Sequence, residues 1–239
     1  MKLVKFIVGV LLIPSCIAAL LSLVDLLEAG RIISATAALP ASSTGWWFLG
    51  GFALWVVLYL CLPRPTRTYV LGHELTHLLW AWLLGIHASQ LRVSAKGGSV
   101  RVARNHFLIS LAPYFFPLYT LLVLLLRFLL NLFFDSSTYE PFWFGLIGLT
   151  WAFHLTFTTS MLKQHQPDIH QEGRIFSYVV ILFFNALGIG LIVVCITPAT
   201  IEDFFHLLAR NHLLIFHWES HLLQKGLSLL HAPGSPLDI

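Results

Sequence analysis

Charge is what this chain lacks most. Asp, Glu, Lys and Arg make up 10% of its 239 residues, where a soluble globular domain carries about a quarter. With 57% hydrophobic residues, that shortage excludes a water-soluble domain and indicates an integral membrane protein. The +3 net charge comes from scattered residues, so the chain has no basic patch and no nucleic acid is expected as a partner. Cysteine is scarce too. Cys16, Cys61 and Cys195 lie in apolar segments, are odd in number and match no metal-binding spacing, so each reads as a small buried hydrophobe. No internal repeat or low-complexity tract is visible, and the chain is too short for a large extramembrane domain besides its spans.

What is there in quantity is apolar sequence. Residues 6–27, 46–62, 68–85, 107–134, 142–162 and 175–197 form six runs near the roughly 20 residues that cross a bilayer. The first follows Lys2 and Lys5 in the manner of a signal peptide but outlasts a signal core, which predicts an uncleaved first span. Ile13-Pro14-Ser15-Cys16 is similar to a lipoprotein cleavage site, yet apolar sequence continues beyond it. Pro63-Arg64-Pro65-Thr66-Arg67 reads as a stiff turn, and Pro113 and Pro117 should kink or interrupt the fourth run. The expected fold is an all-α integral membrane bundle of about six transmembrane helices, a multi-pass protein of the cell (inner) membrane. Residues 1–67 hold the N-terminal spans, 68–197 a core, and 198–239 a C-terminal segment. Trp46, Trp47 and Trp143 near span ends suit interface anchors. Six alternating spans set Lys2, Lys5, Arg64 and Arg67 on one side. Arg31, Arg92, Lys96, Arg101, Arg104, Lys163 and Arg174 fall on the other, toward which the positive-inside rule leans as the cytoplasmic side; a hairpin dipping into the membrane would spoil that count, so the orientation stays open.

Two stretches differ in texture. Leu91, Val93 and Ala95 alternate with Arg92, Ser94 and Lys96, and Val100 and Val102 alternate with Ser99, Arg101 and Ala103, across Gly97-Gly98. Period two around a Gly-Gly turn predicts a β-hairpin over residues 89–104. It either lies on the membrane surface or offers a strand edge to an extended peptide. After Thr197, the residues Ile201, Phe204, Phe205, Leu208, Ile215, Leu222 and Leu223 recur at helical spacing among His206, Arg210, His212, Glu219 and Lys225. That pattern predicts an interfacial amphipathic helix, whole or broken, with a frayed end at Ala232-Pro233-Gly234-Ser235-Pro236.

The chemistry concentrates in the third run, at His73-Glu74-Leu75-Thr76-His77. Two histidines four apart on a helix share one face and can ligate one Zn²⁺. The Glu after the first His can take a proton from a metal-bound water. The bland alternative is a polar patch joining helices by hydrogen bonds. Three ionisable groups within five apolar-flanked residues weigh against it, because such groups are costly at membrane depth. A catalytic zinc needs a third protein ligand, and two residues compete. Asp168 sits in Gln166-Pro167-Asp168-Ile169 at the start of the sixth run, where with Gln171 it also suits a capping box. His154 lies mid-run between Thr150 and Thr158, where an interhelical hydrogen bond would also explain it. Asn185 could support the site or only join helices, and His165 and His170 suit a solvated loop. His217 and His221 also lie four apart, but Glu219 points to the other side of their helix.

These residues resemble the site-2 protease family of intramembrane zinc metalloproteases. The resemblance spans roughly residues 68–197. It rests on His73-Glu74-Leu75-Thr76-His77 in an apolar helix, the Gly-containing hairpin followed by Leu111-Ala112-Pro113-Tyr114, and a Pro-preceded Asp about ninety residues past the second His. It implies Asp168 as third zinc ligand beside His73 and His77, Glu74 as the catalytic residue, and a substrate strand laid beside the hairpin. The Gly that usually follows the family's ligand Asp is Ile169 here, and its Asn after Gly-Pro is absent behind Ala112-Pro113. The expected activity is hydrolysis of a peptide bond in or near a transmembrane segment of a membrane-protein or peptide substrate. Two rivals stand beside it. One is a histidine-box di-iron oxygenase with His73/His77 as one box and His165/His170 and His217/His221 as others, although the chain has no His-x-x-His-His. The other is a non-catalytic metal-binding membrane protein.

Overall fold

The computed structural model describes residues 2–36, 43–94, 97–135 and 137–230. It is mostly helical, with one two-stranded antiparallel sheet. Helix α1 covers Lys2–Thr36, α2 Ser43–Cys61 and α3 Thr66–Leu83. Strands β1 (Ala88–Ser94) and β2 (Gly97–Val102) follow, then α4 (Phe107–Leu111) and a 3₁₀ turn at Ala112–Tyr114. The remaining helices are α5 (Leu118–Asn131), α6 (Glu140–Leu162), α7 (Pro167–Glu172), α8 (Arg174–Ile196) and α9 (Ile201–Leu230). The expected tail at 232–236 lies outside the described residues.

Among the described residues, three helices are long and apolar enough to cross a membrane: Lys2–Ile32, Thr44–Cys61 and Arg174–Ile196. Only 33%, 11% and 28% of their apolar windows are buried inside the protein, so most of that surface needs a non-aqueous neighbour. Phe107–Tyr114 and Leu118–Asn131 together make a fourth candidate, bent by 81°. The bend falls where Pro113 and Pro117 remove helix donors. Helices α3 and α6 are not among these candidates. His73, Glu74 and His77 interrupt the first, and His154 with four threonines the second.

Six alternating crossings are not what the helices build. Gly9 packs on Phe176 and Gly30 on Thr197, so α1 and α8 run parallel, and the Lys5 ammonium donates to Glu172. Residues 2–5 and 163–174 therefore share one end of the bundle, which alternation would have kept apart. Helices α2 and α6 are parallel as well, with Phe48 beside Gly148, Trp55 bonded to Thr156 and Tyr59 against Phe157. Their contact depends on missing side chains: a Cβ on Gly51 would lie 1.8 Å from the Gly145 carbonyl oxygen, and small residues are what let helix backbones approach in membranes. Hydropathy windows carry no direction, which is why the sequence reading missed both pairings.

Smaller expectations are also corrected. Cys61 and Cys195 are exposed and only Cys16 is buried. Trp46 and Trp47 are exposed, but Trp143 is buried and anchors no interface. Helix α9 is continuous. Thr200 and Asp203 form a reciprocal cap at its start, and Asn211 and Arg210 bond Asp25 of α1, so its first turns dock on α1.

Candidate metal centre

Helix α3 presents His73, Glu74 and His77 toward a cavity of about 730 Å³, whose walls come from the hairpin, α4, α6 and α7. Spacing four puts both imidazoles on one side of α3, with their Nε2 atoms 3.2 Å apart. The Nδ1–H of His77 donates to the Ile109 carbonyl at 2.7 Å. That bond fixes the tautomer in which Nε2 offers its lone pair to the site. His73 Nδ1 lies 3.2 Å from the Tyr69 hydroxyl.

The third group comes from α7. Asp168 Oδ2 lies 3.6 Å from His73 Nε2 and 3.7 Å from His77 Nε2. Among the described residues these three form the one group of His, Cys, Asp or Glu side chains that could hold a metal ion. Three ligands held about 2.0–2.1 Å from a tetrahedral zinc stand about 3.3–3.4 Å from one another, close to the observed triangle. Two imidazole nitrogens and a carboxylate oxygen also match the donor chemistry of that ion, so the residues fit the group. Burial pushes the Asp168 carboxyl up, but the imidazoles of His73 and His77 beside it and the hydrogen bond from the Tyr114 hydroxyl outweigh that, and the net shift is downward.

Asp168 does not cap a helix and does not open α8. Helix α7 starts with Pro167 after Gln166, so Asp168 sits inside its first turn. Gly173 then takes φ 99° and separates α7 from α8. His154 is buried beside Trp151 and Asn185 and joins no ligand group. Asn185 donates to the Tyr114 and Ile181 carbonyls. His165 and His170 stack on each other, while His217 and His221 are exposed on α9. None of these pairs assembles a second ligand cluster with a carboxylate among the described residues.

Glu74 is buried on the hairpin side of α3. A Cβ on Gly98 would stand 2.5 Å from Glu74 Cγ and 2.8 Å from its Oε1, so the bare glycine lets β2 lie directly on that carboxylate. The hairpin forms with Ala88 opposite Val102 and Ser94 opposite Gly97, and an irregularity at Gln90, whose φ is 58°. Gly97-Gly98 therefore belongs to β2 and is not the turn; residues 95–96, which join the strands, lie outside the described residues. Gly97, Gly98, Ser99, Val100 and Val102 of β2 line the same cavity as His73, His77 and Asp168.

Two residues of the centre went unnoticed in the sequence. The Tyr114 hydroxyl, on a fully buried ring, donates to Asp168 Oδ2 at 3.0 Å and packs edge-on to His73. Glu172, one turn after Asp168, is fully buried. Its signal was present: a second carboxylate four residues on, in a chain with few charges. Comparison with protein-family models, with curated proteins and with solved structures returns no match.

Proposed function

We propose that this protein is an intramembrane zinc metallo-endopeptidase that cuts a membrane-protein or peptide substrate in or near a transmembrane segment. The observation that carries the reading is the triangle of His73 Nε2, His77 Nε2 and Asp168 Oδ2, with edges of 3.2, 3.6 and 3.7 Å, beside Glu74 on the same cavity wall. His73, His77 and Asp168 hold the ion. A bound Zn²⁺ supplies Lewis acidity, lowering the pKa of water toward about 7 and polarising a carbonyl. Glu74 takes the proton at its carboxylate and returns it to the leaving amine. The edge of β2 pairs with the substrate backbone, which holds an unwound segment extended across the site. A helical segment must lose its internal hydrogen bonds before its peptide bonds can be reached, and the strand edge compensates for that loss. The chain sits in the cell membrane through α1, α2, α8 and the bent α4–α5 unit. Asn105, Gln164, Gln166 and Gln171 line the same cavity and give water a polar route to the ligands.

Purified Glu74→Gln protein tests the role of the carboxylate. It keeps its metal and loses cleavage of a transmembrane peptide by at least a thousandfold. Retained turnover removes Glu74 from the chemistry.

A further inference from the structure

Glu172 takes no part in the metal triangle, yet its side chain is wholly buried and draws on three separate segments. Lys5, near the start of α1, donates to its Oε2. Asn105, at the exit of the hairpin, donates to its Oε1 at 2.8 Å. Ser110 of α4 lies 3.3 Å from the same oxygen and 2.9 Å from Asn105 Oδ1, so its single proton serves one of them at a time. A buried carboxylate is kept only when paired and hydrogen-bonded, and here every partner is remote in sequence.

Two neighbours explain what the arrangement does. Asp168 and Glu172 stand one turn apart on α7, so fixing one fixes the other. On α4, Ser110 is next to Ile109, whose carbonyl orients His77. A six-residue helix has little stability of its own, and α7 is bounded by Pro167 and Gly173. Ile169 packs into the core and Asp168 accepts from Tyr114, while Glu172 is the residue that ties α7 to α4 and to the start of α1.

Resting on the metal-centre reading above, we infer that Glu172 is a positioning residue. By joining α7 to α4 and to the start of α1, it sets Asp168 at ligand distance from His73 and His77. The start of α1 is thereby part of the metal site's support, though it touches no ligand.

Cobalt(II) titration of the full chain in detergent micelles tests this, with absorption bands as the signature of coordination and thermal unfolding of the metal-free protein alongside. Wild type binds one Co²⁺. Glu172→Gln sets an amide N–H against the Lys5 ammonium and weakens Co²⁺ about 10- to 100-fold, the range for groups that orient ligands, with altered bands. Lys5→Arg keeps the charge and stays within about threefold of wild type. Should Glu172→Gln fail to fold, Lys5→Met combined with Glu172→Leu carries the test. An apolar pair replaces the ions without loss of stability, while the tether to α4 is gone, so Co²⁺ weakens at an unchanged melting temperature. Wild-type affinity and bands in a folded variant overturn the inference. So does a loss of affinity that only tracks loss of helical structure in every variant. A wild-type chain that takes up no Co²⁺ overturns the metal-centre reading itself.

Discussion

Replacing Tyr114 by Phe removes one oxygen and little else. The ring is fully buried, so Phe retains its packing, including the edge-on contact with His73. What goes is a donor 3.0 Å from Asp168 Oδ2, the oxygen that faces both imidazoles. A hydrogen bond to a charged acceptor contributes about 1.5–3 kcal/mol, which converts to roughly 10- to 150-fold in an equilibrium constant. Part of that stabilises the carboxylate with or without metal and cancels from the binding constant. The share that remains is orientation, about 10- to 100-fold in metal affinity. The assay is competition between purified protein and a chromophoric chelator for Zn²⁺ at constant pH. Tyr114→Phe should bind in that weaker range with an unfolding temperature within a few degrees of wild type. An affinity within threefold of wild type would refute the claim that the hydroxyl orients the ligand.

Two further outcomes follow from the same coordinates. In Gly98→Ala the new Cβ starts 2.5 Å from Glu74 Cγ, about 1 Å inside normal contact. The strand must retreat, at a cost of about 1–3 kcal/mol. Peptide turnover should fall about 10- to 100-fold with metal binding unchanged, and unaltered turnover would disprove the close approach. The cap of α9 is pH-sensitive: hydrogen bonds from the Thr200 amide and hydroxyl, with His206 adding to them, hold the Asp203 carboxyl below its ordinary range. A depressed folded-state value means the stabilisation is present above the unfolded carboxylate pKa and is lost as pH falls through the folded one. Amide exchange in the first turn of α9 should therefore quicken as pH drops below about 4, after correction for intrinsic rates. Asp203→Asn should remove that dependence, and identical profiles in both proteins would count against it.

How much was legible in advance depended on the range of the interaction. The pairing of His73 with His77 is local, fixed by helical periodicity, and could be read directly. The proline break before α5 was likewise a property of the chain itself. Asp168 stands ninety-one residues beyond His77, and residue chemistry alone put it only narrowly ahead of His154; a family resemblance widened the margin. The capping-box reading of Asp168 failed because Pro167, preorganised for a first helical position, started α7 two residues earlier than an Asp168 cap would, with Gln166 as the N-cap. Gly97-Gly98 looked like a turn by composition, but β2 needs a bare backbone at Gly98 to lie on Glu74, a requirement visible only once α3 is packed against the hairpin. The parallel pairing of α1 with α8 has no local signature at all. Lys5 and Glu172, 167 positions apart, were two isolated charges until the fold joined them.

Zinc analysis of three purified proteins meets the central claim most directly: wild type, Asp168→Ala and His154→Ala. The account predicts one zinc ion per chain in wild type and in His154→Ala, and less than about a tenth of that in Asp168→Ala, since a three-ligand site reduced to two imidazoles does not retain its ion through purification. Equal zinc in all three, loss through His154→Ala instead, or iron in place of zinc in the wild type would contradict it.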